Sequence, residues 1–267
     1  MSVRKNWSIA KLLLGGYTAS VVSLLIYLPI FLLILFSFHA KAFFSFPFAG
    51  FSLRWYMAMF EEEFLFRSLG NSLIIASIVT AAAMVLGLPA AFTFASLRGR
   101  KKDVFIMFMA VPFVIPWLLI GVASLIFYIT VGMELSFLTV VLSHLTYSIP
   151  VVVIIVGSRL LTYNIRLNEA AMDLGADQLQ VFRKIMLPQI FPAVAAAALI
   201  TFIWSFDNFI ITYFTIGSDL TFPIWVWSSI RYPKKLPIVN AVSAIIVIVG
   251  SLIIYLLHRK GLLEEII

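Results

Sequence analysis

The sequence contains no cysteine, which excludes disulfides, thiolate metal sites and cysteine nucleophiles. Charge is scarce as well: 12% of the 267 residues are Asp, Glu, Lys or Arg, against roughly 25% in soluble domains. The 3 histidines, His39, His144 and His258, stand apart from one another. None forms a His-Glu-x-x-His pair or has an acidic companion at metal-ligand spacing, so zinc chemistry has no support. No Gly-x4-Gly-Lys-Ser/Thr loop exists to cradle a nucleotide phosphate, and nothing beyond composition suggests a Ser/His/Asp set. The expected reading is that the chain is not an enzyme and binds no cofactor or metal of its own.

What the chain has is apolar surface. Hydrophobic residues make up 63% of it, Phe alone numbers 25, and the mean hydropathy is +1.08. One or two soluble cores could not hide that much, and disorder requires low hydrophobicity. The composition is that of an all-α integral membrane protein.

A bilayer-spanning helix needs about 20 mainly apolar residues. Six segments qualify: Leu12–Phe38, Leu69–Leu97, Val104–Val131, Phe137–Ser158, Ala193–Gly217 and Ile238–Leu257. Pro112 and Pro116 interrupt the third, which is expected as one kinked helix because neighbouring helices can re-satisfy the freed carbonyls. The basic Met1–Lys11 stretch leads into an apolar run too long for a signal peptide, so it reads as a retained first span. No repeat or low-complexity tract divides the chain, and a single membrane domain over residues 1–267 is expected.

The net charge of +7 fits cytoplasmic loops rich in Lys and Arg better than nucleic-acid binding. With the N-terminus inside, the cytoplasmic set is Arg4, Lys5, Lys11, Arg98, Arg100, Lys101, Lys102, Arg159, Arg166, Arg183, Lys184, Arg259 and Lys260. The outer set is smaller: Lys41, Arg54, Arg67, Arg231, Lys234 and Lys235. The cluster from Arg98 to Lys102 is the strongest anchor, and both termini are expected in the cytoplasm. Outside, the loop from His39 to Ser68 carries Phe43, Phe44, Phe46, Phe48, Phe51, Trp55 and Tyr56, expected at the membrane interface. It also carries the acidic run Glu61–Glu63, expected as a solvated stretch.

The inner loop from Arg159 to Pro192 is amphipathic. Leu167, Ala171 and Leu174 fall at i, i+4 and i+7 on one helical face, and Gly175 can break that helix. A second short helix from about Asp177 is expected to end at Pro188, which lacks the donor for another turn. Asp173 and Asp177 read as solvated. This pattern suits an amphipathic element lying in the lipid interface and a docking element with small residues, Ala170 and Ala171, equally well.

The spacing is more specific than the pattern. Glu169-Ala170-Ala171, three residues, Gly175, nine residues, then Ile185-Met186-Leu187-Pro188 resembles the EAA signature of ABC importer permeases. Along most of its length the chain is similar to the second permease of spermidine/putrescine-type importers. Phe51-Ser52-Leu53-Arg54-Trp55-Tyr56, Asn71-Ser72-Leu73, Leu142-Ser143-His144, Pro192–Ala196, Ser205-Phe206-Asp207-Asn208 and Phe222-Pro223-Ile224-Trp225 carry that likeness. The resemblance implies a type I importer permease fold in a bacterial cytoplasmic (inner) membrane. It implies a homologous permease partner, two ATPase subunits that bind ATP and Mg, and an extracytoplasmic solute-binding protein. It also implies that Glu169, Ala170, Ala171, Gly175, Leu187 and Pro188 couple the chain to the ATPase. Permeases for ferric iron, opines and other small solutes share that branch, so a polyamine is the first of several substrates to test.

Asp207 is placed deep in the fifth span. A carboxylate there costs about 2.5–3.5 kcal/mol on insertion scales. Its readings are a pathway residue facing water or an interhelical pair. Trp204 and Asn208 are expected to share a helical face beside it, and a carboxylate among aromatics suits an ammonium ion. His144 and Tyr147 belong to a second polar patch with Ser143, Thr146 and Ser148, either lining the pathway or bonding helices together. Trp225, Trp227 and Tyr232 read as interfacial anchors or as contacts for a binding protein. A stand-alone secondary transporter with Asp207 as its ion site is the rival from another class. It calls for repeated, broken helices at matching positions and leaves the Glu169–Pro188 loop unexplained.

Overall fold

The computed structural model describes residues 9–41, 48 and 50–259, with side chains from residue 15 to 256 within those ranges and at 259. Arg4, Lys5, Lys260, Phe43, Phe44 and Phe46 lie outside the described residues. Along the chain run α1 (Ile9–Ser37), α2 (Arg54–Ala58), α3 (Leu65–Ser96), α4 (Arg100–Val114), α5 (Trp117–Thr130) and α6 (Phe137–Thr162). They are followed by α7 (Arg166–Asp173), α8 (Gln178–Val181), α9 (Leu187–Phe206), α10 (Ile210–Thr215), α11 (Phe222–Ser229) and α12 (Leu236–Arg259). Among the described residues the only extended pairing is an isolated bridge between His39 and Phe51. By length and composition five helices can cross a membrane, and six spans result if α4 and α5 count as one.

The chain forms two compact units. One comprises Met1–Glu62 with Ser228–Ser251, the other Glu63–Trp227 with Leu252–Ile267. In the first, the Trp55 indole donates to the His39 carbonyl at 2.7 Å, and the Ser37 and Tyr56 hydroxyls meet at 2.7 Å. Lys235 reaches Glu62 at 2.7 Å, so the acidic run is not wholly solvated as its polarity suggested.

The second unit is built around α6, most of whose length is buried. α3 and α9 pack along it, and α4, α5 and α10 pack against it as well. Ile75, Val79, Val140, Val141, Ile216 and Ile224 form one apolar cluster, and Ala83, Ala91, Val152, Val156 and Ala197 form another. Small residues let α3 approach α6 closely: a Cβ added at Gly87 would stand 2.7 Å from Val152 Cβ.

Three expectations are corrected here. The third span is not one kinked helix. α4 and α5 are bent by 95° at Ile115–Pro116, because Pro116 has no N–H to donate and holds Ile115 in extended backbone. The fifth span does not run unbroken to Gly217. α9 stops at Phe206 and α10 begins at Ile210, since Asn208 Oδ1 takes the Ile211 N–H at 2.9 Å and offers the backbone an alternative to the helical ladder. Finally, Pro188 does not end a helix. A π-helical turn over Phe182–Met186 precedes it, and Pro188 lies in the first turn of α9, where a missing N–H is tolerated.

Candidate functional site

The connection between α6 and α9 lies in the second unit and is held at its base by polar contacts. Arg159 Nε donates to the Gln189 carbonyl at 3.1 Å, tying the end of α6 to the start of α9. The Tyr163 hydroxyl donates to Asn168 Oδ1, and Asn168 is the buried residue of α7. Burial raises the Tyr163 phenol above its ordinary pKa.

Helix α7 closes with two nested hydrogen bonds. The Gly175 N–H reaches the Met172 carbonyl at 2.9 Å and the Ala176 N–H reaches the Ala171 carbonyl at 3.0 Å. This Schellman pattern needs a left-handed residue after the cap, and Gly175 supplies it at φ 88°. Asp177 is exposed, as expected of a solvated acid, and it also caps α8. Its carboxylate accepts the Gln180 N–H at 2.8 Å while the Gln180 amide oxygen accepts the Asp177 N–H at 3.3 Å. The sequence signal was present as an acid three residues before a glutamine.

The expected apolar face of this element is real but uncovered. Leu174 is 90% exposed, and Leu167, Met172 and Leu179 are also exposed. Glu169, Ala170 and Pro188 are exposed, whereas Ala171 and Leu187 are half-buried. Soluble surfaces seldom present such a cluster without a partner. The arrangement is a rigid, capped helical elbow offering one carboxylate and several apolar tips.

The second constellation lies where α5, α6, α9 and α10 meet. His144 is fully buried. Its Nδ1 sits 2.9 Å from Ser205 Oγ and its Nε2 3.0 Å from Thr212 Oγ1, so both ring nitrogens are engaged. Nearby, the Tyr128 hydroxyl meets Ser143 Oγ at 2.9 Å, and the Thr139 hydroxyl donates to the Thr215 carbonyl at 2.6 Å. These contacts bind α6 to α5, to the last turn of α9 and to α10.

Beside them stands an aromatic group. Tyr147 stacks on Trp117 with ring centres 5.5 Å apart and planes at 19°. Trp204 lies 6.0 Å from Trp117 and 6.4 Å from Tyr147, with Phe113 6.4 Å beyond it. Asn208 Nδ2 donates to the Tyr147 hydroxyl at 3.4 Å. Trp204 and Asn208 therefore converge on Tyr147, but not as neighbours on one helical face, because the helix ends between them. Asp207 follows that end, exposed, and its carboxylate has no partner among the described residues. Trp117 and Phe113 escaped the sequence reading. They join the group only because the break at Pro116 turns the start of α5 toward α9.

Among the described residues no group of His, Asp or Glu could hold a metal ion. The second unit thus carries aromatic faces and a free carboxylate at two helix breaks, and an exposed elbow.

Comparison with known proteins bears on the chain as a whole. A family model described as the inner membrane component of binding-protein-dependent transport systems matches residues 83–260. The spermidine/putrescine transport system permease protein PotC of Escherichia coli strain K12 is 30% identical over 247 residues, 92% of each chain. The putrescine transport system permease protein PotI of the same strain is 33% identical over 269 residues, covering 96% of this chain and 92% of its own. Among solved structures, a bacterial ABC transporter involved in import of the acidic polysaccharide alginate matches with a TM-score of 0.71 at 14% identity, over 95% of this chain and 98% of that one. The MetNI methionine ABC transporter in an inward-facing form matches at 0.61 and 20% identity, over 75% and 97%. At such identities the structural likeness concerns the fold.

Proposed function

Because the chain belongs to the family of binding-protein-dependent transport system inner membrane components, we propose that it is a permease subunit of an ATP-driven ABC importer for a polyamine such as putrescine or spermidine. The observation that carries the substrate class is identity of 30% and 33%, over more than nine-tenths of the chain, to two polyamine permeases. The complex contains a homologous permease as heterodimer partner, two ATPase subunits that hold ATP and Mg, and an extracytoplasmic solute-binding protein. ATP hydrolysis falls to the ATPase subunits. The membrane is the bacterial cytoplasmic membrane, with both termini and the Arg98–Lys102 cluster on the cytoplasmic side.

Coupling runs through the elbow. Glu169, Ala170, Ala171 and the exposed Leu174 meet the ATPase, while Gly175, Leu187 and Pro188 set the shape that carries motion into α9. That helix leads directly to Trp204 and Asp207. A displacement of the elbow on ATP binding therefore moves the pathway, provided the ATPase contacts differ between the two states.

In the pathway Asp207 supplies the charge that pairs with a protonated amine. Trp204 and Trp117 supply π faces, each worth about 0.5–2 kcal/mol toward a cation, and the fully buried Tyr147 backs Trp117. Asn208 holds Tyr147, and His144 fixes the helices that carry them.

The deciding experiment is uptake of labelled putrescine and spermidine by cells expressing the complete operon, beside an inactive-ATPase control and the Asp207→Asn variant. Saturable uptake that vanishes in the control, and falls in the variant while the complex stays assembled, is the expected result. Absence of polyamine uptake by an assembled, ATPase-active complex discards the substrate and turns the search to opines and ferric iron.

A further inference from the structure

Arg98, Arg100, Lys101 and Lys102 stand within five residues at the start of α4. None of the four pairs with a carboxylate among the described residues, although Asp103 adjoins them. Lys102 lies over the Phe94 ring, 5.2 Å from its centre, and Phe94 in turn stacks on Phe105 at 5.9 Å. Below the cations lies a shallow, open depression of about 720 Å³ along one segment of chain, lined by Leu97, Arg100, Lys101, Val104, Phe105 and Phe108.

The order of chemistry along this depression is directional. Arg100, Val104 and Phe108 repeat every four residues and share one face of α4, spanning about 12 Å at 1.5 Å per residue. Charge occupies one end, and the remaining wall is aliphatic and aromatic, with Val104 and Phe108 largely exposed. The apolar run of α4 continues from there toward Val114. Unpaired cations at one end of an open apolar helix face match a ligand with an anionic head and a hydrocarbon tail.

We propose that this depression is a binding site for an anionic phospholipid, with the phosphate held by Arg100 and Lys101 and an acyl chain laid along Val104, Phe105 and Phe108. A zwitterionic lipid carries a compensating cation and is disfavoured by the same unpaired charges. Clusters of Lys and Arg beside a membrane helix each add about 1 kcal/mol toward an anionic surface. The apolar face beside the cations adds room for an acyl chain to that general attraction, independent of the substrate carried.

The test is native mass spectrometry on the full-length chain, purified with the subunits that accompany it and titrated with dioleoyl phosphatidylglycerol or dioleoyl phosphatidylcholine. The wild type is expected to bind phosphatidylglycerol at least about tenfold more tightly, and Arg100→Gln with Lys101→Gln to remove the preference. Val104→Ala with Phe108→Ala is expected to weaken phosphatidylglycerol binding without changing the response to water-soluble glycerol phosphate. Equal binding of the two lipids by the wild type overturns the proposal, and that comparison needs no variant. So does an Arg100/Lys101 variant that keeps its lipid preference but loses an accompanying subunit, since the face is then a protein interface.

Discussion

His144 Nδ1 lies 2.9 Å from Ser205 Oγ, across the seam between α6 and the last turn of α9. On its other side the same ring reaches Thr212 in α10, so one side chain spans the break at Asp207–Phe209. A neutral imidazole donates from one nitrogen and accepts at the other, which two hydroxyls can satisfy in either sense. Two turns along the seam, Val152 and Ala197 belong to one apolar cluster. The broken helix is therefore held to α6 by polar contacts at the break and apolar contacts further along.

Removing that ring leaves two hydroxyls unpaired and a cavity between three helices. His144→Ala is expected to destabilise the complex by about 2–3 kcal/mol, and His144→Gln, which keeps one hydrogen bond, by less. Thermal unfolding of the purified complex checks this, and an unchanged midpoint for His144→Ala contradicts the bridging role.

Leu174 exposes 90% of its surface on a short, capped helix. If the ATPase covers it, Leu174→Asp places a charge in an apolar contact without touching the permease interior. Co-purification of the ATPase is expected to fall by tenfold or more while permease abundance in the membrane is unchanged. Glu169→Lys tests the same surface through its charge. Normal ATPase retention and full transport-coupled hydrolysis in both variants place the coupling contact elsewhere.

The elbow was legible because its information is local: Glu169, Ala171 and Gly175 lie within about two helical turns, and turn chemistry acts at that range. The spans were legible as apolar runs, since length and composition decide them. What escaped depends on backbone direction at two points. Pro116 was visible as an interruption, but whether a proline kinks or breaks a span by 95° is settled by what packs around it. The Asp207–Asn208 break had a sequence cue in two adjacent residues that favour caps over helix interiors. Trp117 carried no cue, because it meets Trp204 only through the fold.

At Gly175 the left-handed backbone and the surrounding space can be separated. A Cβ there meets nothing within 4 Å, so a substitution is opposed by conformation alone, at about 1–2 kcal/mol for an ordinary residue. Gly175→Val is expected to loosen the Schellman closure and reduce coupled ATP hydrolysis, whereas Gly175→Asn, which tolerates this region, retains most of it. The ratio of uptake to hydrolysis in the two variants reads the difference. Equal loss in both points to a contact made by the glycine itself.

Trp117 and Trp204 present their rings at 64° to one another, 6.0 Å apart, with Tyr147 stacked on the first. If these faces receive the amines of the substrate, Trp117→Ala removes a π surface and also the support of Tyr147, while Trp117→Phe keeps a ring in place. Uptake measurements are expected to show KM rising several-fold in Trp117→Ala and about twofold in Trp117→Phe, as weaker cation–π attraction requires. Combining Trp117→Ala with Asp207→Asn distinguishes a shared site from separate ones: residues that bind one amine together depart from additivity by more than about 0.5 kcal/mol. Strict additivity assigns Asp207 and Trp117 to different steps of the pathway. A rise in KM for Trp117→Ala accompanied by an equal fall in thermal stability makes Trp117 a packing residue.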